Sequence, residues 1–386
     1  MIESTQQIKN QKTRYYPFYD SINKRIDIES PAPLISIKEI NKLRQLIARA
    51  TRGEYFLIQL GNGSESICEY DQDTAFANLD FIHQLAEFFH RKTGNNVIQV
   101  SQISDHYTKH RDNSHNEILQ NERISSYFGD KENQAHRKHR VSTHPQLLQN
   151  HNCSASVYRE ISLWNKDLSA EKKIYTSHKK LSSLPEQAIT QLDKQTGLYY
   201  NRSTHFPLID NTQHVDYLKK CANPLAIKIG SNTSIKGLIK TINKLDPDYN
   251  PGRITLIPCL GVQSIHSMLP HLIDAVKRSN HTVLWSGDPM QGNTELLSPQ
   301  ITVRKLSAIV EEIKNSFLIH QKMGSQLNAI HLEITDQDVT ECLNYPSSID
   351  ESIIDRQKCY NNLVVNPRLN YAQAMHVMQC IAKLSA

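Results

Sequence analysis

The residues of this chain that could do chemistry crowd into a few short stretches. The densest is Leu284-Trp285-Ser286-Gly287-Asp288-Pro289-Met290-Gln291-Gly292-Asn293-Thr294, where an apolar run gives way to a carboxylate, two amides and a hydroxyl. Its Pro and Gly make it a loop, so Asp288, Gln291 and Asn293 are carried together at the end of a buried element, a place suited to a small polar ligand. A second stretch, Asp105 to His144, is rich in His, Arg, Lys, Asn and Ser and poor in apolar residues. Read plainly it is a solvated excursion. Read functionally, Lys109 and Arg111 stand just past the apolar run Val97–Val100 and are placed to close over an anionic substrate. Familiar short signatures are missing: there is no Gly-rich phosphate loop, no Ser nucleophile elbow and no zinc-spaced Cys/His set.

Elements able to position these residues are legible from apolar periodicity. Ile40, Leu43, Leu46 and Ile47 fall at helical spacing within Ile37 to Ala50. Short apolar runs then recur at Tyr55–Gln59, Val97–Val100, Ile161–Trp164, Lys173–Tyr175, Leu225–Ile229, Ile254–Ile257, Thr282–Trp285 and Ile330–Ile334. Helix-like segments such as Leu269–Val276 and Ile309–Phe317 stand between some of them. Near-continuous apolar runs alternating with amphipathic helices argue for a parallel sheet covered by helices. Eight runs suit an α/β fold of the (β/α)8 barrel type; a doubly wound open sheet is the alternative. Residues 1–34 read as an N-terminal arm ending at Ser30-Pro31-Ala32-Pro33, and residues 35–386 as the barrel domain.

Composition narrows the class. A formal net charge of +5 over 386 residues is too small to argue for nucleic acid or membrane as a partner. Seven Cys with no CxxC pair fit a reduced compartment better than a disulfide framework. The N-terminus is polar, unlike a secretory signal, and no apolar run approaches the roughly 20 residues of a membrane helix. The expectation is a cytoplasmic protein acting on a small molecule.

The loop at 284–294 closely resembles the W-x-C-D-P-M-H-G-N-T signature of the class II (plant-type) DAHP synthases. Other stretches are similar to motifs of that family, in the same order along roughly Ile37 to Ala382: Gly53-Glu54-Tyr55-Phe56-Leu57-Ile58-Gln59, Ala222-Asn223-Pro224 with Lys228 and Gly230, and Pro251-Gly252-Arg253-Ile254-Thr255-Leu256. His331-Leu332-Glu333-Ile334-Thr335, Val339-Thr340-Glu341-Cys342 and Asn366-Pro367-Arg368-Leu369-Asn370 continue the series. The resemblance implies a (β/α)8 TIM barrel. It also implies an enzyme that condenses phosphoenolpyruvate with erythrose 4-phosphate, using a divalent metal and cationic anion clamps.

The departures fall on the functional positions. Of the family's four metal ligands, the Cys position holds Gly63, the His position Gln291 and the Asp position Asn366; Glu333 alone keeps its ligand type. Two amides are weak ligands for Mn, Co or Zn and suit harder ions at best, so no cofactor is expected, with a divalent metal as the open alternative. Among the anion clamps, Gln102 and Cys259 each stand for a family Arg, His205 and Phe206 for a Glu-Arg pair, and Ser264-Ile265-His266-Ser267 for a K-V-R-D run, while Lys228, Lys109 and Arg111 remain. A thiol cannot imitate a bidentate guanidinium.

Two chemistries are open for the replaced site. Cys259 with His205 or His266 makes a thiolate nucleophile for acyl transfer; read plainly, Cys259 lines the core and both His lie on loop or helix surfaces. Glu333 is a general base or the partner of Lys228. Arg368 keeps a structural salt bridge or, with Gln102, Asp288, Gln291, Asn293 and Asn366, touches substrate, and Glu341 braces its loop. The leading expectation is a divergent enzyme recruited to carbon or acyl transfer in specialised metabolism, with a homo-oligomer as the expected partner state. Its alternatives are a genuine DAHP synthase with an altered metal site and a non-catalytic paralogue.

Overall fold

Helix α1 (Ile37–Ala50) begins where the sequence expects it, with Ser36 accepting from the Glu39 N–H and the Glu39 carboxylate reaching back to the Ser36 N–H. This reciprocal cap satisfies two of the donors that a helix start leaves open. The computed structural model describes residues 35–61, 72–102, 116–119, 122–125, 156–179, 190–209, 215–298, 301–336, 338–343 and 366–385. The expected N-terminal arm, Gly63, Lys109 and Arg111 lie outside them.

Eight parallel strands close into a barrel: β1 (Tyr55–Gly61), β2 (Asn96–Ser101), β3 (Ile174–Lys179), β4 (Phe206–Ile209), β5 (Leu225–Ile229), β6 (Ile254–Pro258), β7 (Leu284–Gly287) and β8 (Ala329–Glu333). Each pairs with its neighbours in sequence, and β8 pairs with β1 in the register Gln59 to His331 and Gly61 to Glu333. The fold is a (β/α)8 barrel.

Seven of the eight expected runs are barrel strands, and the exception is instructive. Ile161–Trp164 continues a helix that starts at Ser156. Val157 and Ile161, four residues apart, are buried on one face while Leu163 is 54% exposed, which is helical and not strand-like spacing. The strand it displaced is β4, fully buried but carrying Pro207, a residue that argues against a central strand when only sequence is read.

One inward-facing cluster takes residues from every strand: Tyr55, Ile98, Tyr175, Phe206, Ala226, Ile257, Leu284 and Ala329, with Leu43, Leu46, Ile47 and Ala50 of α1 packed among them. Helix α1 therefore plugs the N-terminal end of the barrel. Outside, α2 (Gln72–Thr93) and α6 (Tyr371–Ser385) share one apolar cluster through Phe81, Leu85, Val377 and Ile381. Helices α3 (Ile235–Leu245) and α4 (Ile265–Arg278) share a second cluster. Helix α5 (Leu306–Lys322) follows an antiparallel hairpin formed by Thr294–Ser298 and Ile301–Lys305. No helix among the described residues is long and apolar enough to cross a membrane.

Candidate active site

With the N-terminal end plugged, chemistry is left to the C-terminal mouth, where the eight parallel strands end together. Side chains alternate along a strand. Because Ala226, Leu284 and Ala329 face inward, so do Lys228, Asp288, His331 and Glu333, each an even number of residues further on. All four are at most 5% exposed.

They form a connected set. Lys228 Nζ donates to Asp288 Oδ2 at 2.8 Å and to Gln291 Oε1 at 3.2 Å. His331 Nδ1 lies 3.1 Å from the same Asp288 oxygen, close but off the line of a straight hydrogen bond. The Gln102 amide lies 2.7 Å from His331 Nε2. An amide nitrogen can only donate, so Nε2 accepts and the ring proton sits on Nδ1, facing Asp288. Burial opposes ionisation of Asp288, but Lys228 and then His331 outweigh it and hold the carboxyl well below the usual range. Burial alone would lower the Lys228 ammonium; Asp288, Cys259 and Glu333 raise it above its ordinary value. Burial and the nearby Lys228 push His331 down, which keeps the ring neutral. The set is thus a fixed ammonium–carboxylate pair beside a neutral imidazole.

Glu333 is held from the side. Arg304 Nη1 donates to Glu333 Oε2 at 2.5 Å and to the Pro367 carbonyl, while its Nε donates to Thr294 Oγ1 at 2.9 Å. The second carboxylate oxygen is a long 3.5 Å from Asn366 Nδ2. The 288–294 loop is self-braced: Asp288 Oδ1 accepts from the N–H of Met290 at 2.9 Å and of Gln291 at 3.3 Å. Gln291 itself is exposed, at the rim of the mouth.

Several expected roles find a different place. His205 precedes β4 and so lies at the plugged end, where Nδ1 accepts from the Thr176 N–H at 3.1 Å and the ring meets Tyr175 edge-on. Burial pushes it down to about 4, against the pull of Glu39; it is a neutral core histidine. His266 sits exposed on α4. Cys259 is at the mouth, but its thiol donates to the Ile229 carbonyl at 3.3 Å, and neither His comes with it. The thiolate–imidazole pair is therefore not assembled. Arg368 is committed to Glu341 by two side-chain bonds of 2.8 and 3.0 Å and a backbone bond of 2.7 Å, so it is the structural salt bridge and Glu341 the brace. Asn293 turns inward, donating to the Pro289 carbonyl at 2.8 Å and Glu312 at 2.5 Å, which makes it a brace of its loop. Gln102, Lys228, Asp288, Gln291, Glu333 and Asn366 stand together at the mouth.

His331, Arg304 and Glu312 were given no role from sequence. His331 was readable: it lies two residues before Glu333 on one strand and must share its face. Arg304 stands beside Lys305 in the strand Ile301-Thr302-Val303-Arg304-Lys305, where the sequence gives no sign that one of the two is buried; it is 1% exposed.

Among the described residues, no three His, Cys, Asp or Glu side chains stand together as ligands. Gln291 and Asn366 offer amides, Gln291 is engaged by Lys228, and Glu333 is engaged by Arg304 at 2.5 Å. At these three positions the side chains are two amides and a carboxylate held by Arg304, a weaker donor set for a transition metal than thiolate and imidazole; the fourth family position lies outside the described residues.

A closed parallel barrel with its polar constellation at the C-terminal mouth is the architecture of the (β/α)8 enzymes. The class-II DAHP synthetase family matches over residues 2–166 and 157–382, and the chain belongs to that family. It is 27% identical over 425 aligned positions to a phospho-2-dehydro-3-deoxyheptonate aldolase of Streptomyces coelicolor, covering 96% of this chain and 94% of that one. It is 29% identical to a probable enzyme of the same name from Pseudomonas fluorescens, covering 90% and 88% of the two chains. In structure it is similar to a phospho-2-dehydro-3-deoxyheptonate aldolase of Francisella tularensis, with a TM-score of 0.54 at 10% identity over 94% of this chain and 95% of that one, which bears on the fold alone. These relatives favour the genuine DAHP synthase reading; recruitment to specialised metabolism finds no support in them.

Proposed function

We propose that the chain acts on the same carbon–carbon bond as its relatives, joining an enol phosphate to the aldehyde of a sugar phosphate at the barrel mouth: the methylene carbon of the enol phosphate bonds to the aldehyde carbon, whose oxygen takes up a proton, while water adds at the phosphate-bearing carbon, loses its proton to a base, and inorganic phosphate leaves. The observation that supports this is the inward Lys228–Asp288–His331 set, carried on the family's own loop and strand motifs. In this reading Lys228 supplies a permanent positive charge toward the anionic donor. Its ammonium is pre-oriented by Asp288, so little reorganisation is needed as charge develops. Gln291, at the rim, orients substrate by its amide. Glu333, inward at the end of β8 and oriented by Arg304, is the carboxylate placed to accept a proton. No step runs through a metal, because the described donor set is a weak one.

The test is consumption of phosphoenolpyruvate in the presence of erythrose 4-phosphate, with and without added Mn, Co or Zn, for the parent and Lys228→Met. Turnover that Lys228→Met abolishes supports the reading; no turnover under any condition overturns it. Elemental analysis giving about one Mn, Co or Zn per purified chain would overturn the metal-free part of it.

A further inference from the structure

Two loops meet behind the constellation, and a buried carboxylate that the reaction does not use joins them. Residues 259–262 leave β6 and residues 288–294 leave β7. They approach so closely that a Cβ on Gly292 would lie 2.3 Å from the Gly261 nitrogen and 2.9 Å from the Cys259 carbonyl. No side chain fits there. Glu312 of α5, 2% exposed, reaches this junction. One of its oxygens accepts from the Gly261 N–H at 3.1 Å and the other from Asn293 Nδ2 at 2.5 Å. The Asn293 orientation is fixed independently, because its Oδ1 accepts from the Val262 N–H at 3.1 Å and its Nδ2 also donates to the Pro289 carbonyl.

We propose that Glu312 is a positioning residue for the mouth: by accepting from both loops at once it locks the Gln291-bearing loop against the Cys259-bearing loop and so fixes where Lys228 and Gln291 meet substrate. The inference rests on the mouth being the active site, but its first test does not. Both partners of Glu312 are donors, and a carboxylate serves two donors better than a carboxylic acid, which must place a proton of its own. Burial, with the Asp288 charge adding, raises Glu312 to about 8, while Gly261 and Asn293 pull it back. The charged groups facing it are Asp288, the first residue of the second loop, with Lys228 and His331 on the far side of that carboxylate; the loop groups that bond Glu312 are neutral. The clamp accordingly tightens as pH rises through that value.

The experiment compares the parent with Glu312→Gln and Asn293→Ala in the full chain. Amide hydrogen exchange in peptides spanning 259–264 and 288–294 should quicken by about tenfold or more, as expected for losing one buried acceptor, while α1 and β8 keep parent rates. Unchanged loop exchange in both variants overturns the proposal. The kcat/KM profile of the parent should show an ionisation near 8 that Glu312→Gln abolishes, with KM rising more than kcat falls; an unaltered profile also overturns it. Should Glu312→Gln fail to fold, Asn293→Ala, which removes one limb only, decides. A parent without turnover refutes the proposed reaction and leaves the exchange result to judge the clamp.

Discussion

Neutralising Asp288 gives the sharpest test of the site's electrostatics. The Lys228–Asp288 contact is 2.8 Å, with both side chains at most 4% exposed. At an effective dielectric of 20, two unit charges at that separation attract by about 6 kcal/mol, a gain largely offset by the cost of taking both from water. Removing one partner alone leaves the other buried and uncompensated, which costs about 3–5 kcal/mol. Asp288→Asn is the informative change, because its remaining oxygen can still accept from Met290 and Gln291 and hold the loop. Urea unfolding at pH 7 should show losses of that size for Asp288→Asn and for Lys228→Met separately. The double variant should fall short of their sum by about 2 kcal/mol or more, since the orphaned charge is gone. The folded-state pKa of Asp288 is depressed, so its contribution is present above the unfolded carboxylate value of about 3.9 and is lost as pH falls toward the folded value. The gap between parent and Asp288→Asn should therefore narrow on acidification below pH 4. Losses that add within about 0.5 kcal/mol, or a gap independent of pH, would refute the reasoning.

Arg304→Met should cost about 3–5 kcal/mol by stranding Glu333, and adding Glu333→Gln should recover part of it in the same unfolding assay. Leu43→Ala, at a fully buried position of the plug helix, should lower stability by about 2–5 kcal/mol; a loss under 1 kcal/mol would mean that α1 does not close the barrel. Cys259→Ser should keep kcat/KM within a few-fold, and Cys259, 6% exposed, should resist alkylation in the folded protein; a hundredfold loss would restore it as a nucleophile.

Residues near each other in the chain were read well. The 284–294 loop, the motif order, α1 and seven strands all rest on local pattern: periodicity, Gly and Pro punctuation, and runs of particular residue types. Where the reading erred, a local signal had competing explanations. The run at 161–164 is apolar in either a strand or a helix, and Pro207 masked a strand that is buried on both sides. His205 shows the cost of a small displacement. Placed at the end of a strand it would face substrate; placed one residue before β4 it faces Thr176 at the opposite end of the barrel.

By itself the sequence determined the family, the barrel, and the unusual set of Gln102, Cys259, Gln291 and Asn366 at family positions. Only the tertiary structure decided what those residues do. It turned Gln102 onto His331, gave Glu333 to Arg304 and Arg368 to Glu341, and drew Glu312 in from a helix to join two loops. The reason is that strand and helix identity follow from neighbours a few positions away, whereas hydrogen-bond and charge partners here lie 19 to 229 residues apart. Their pairing depends on strand register and barrel closure, which no local pattern encodes.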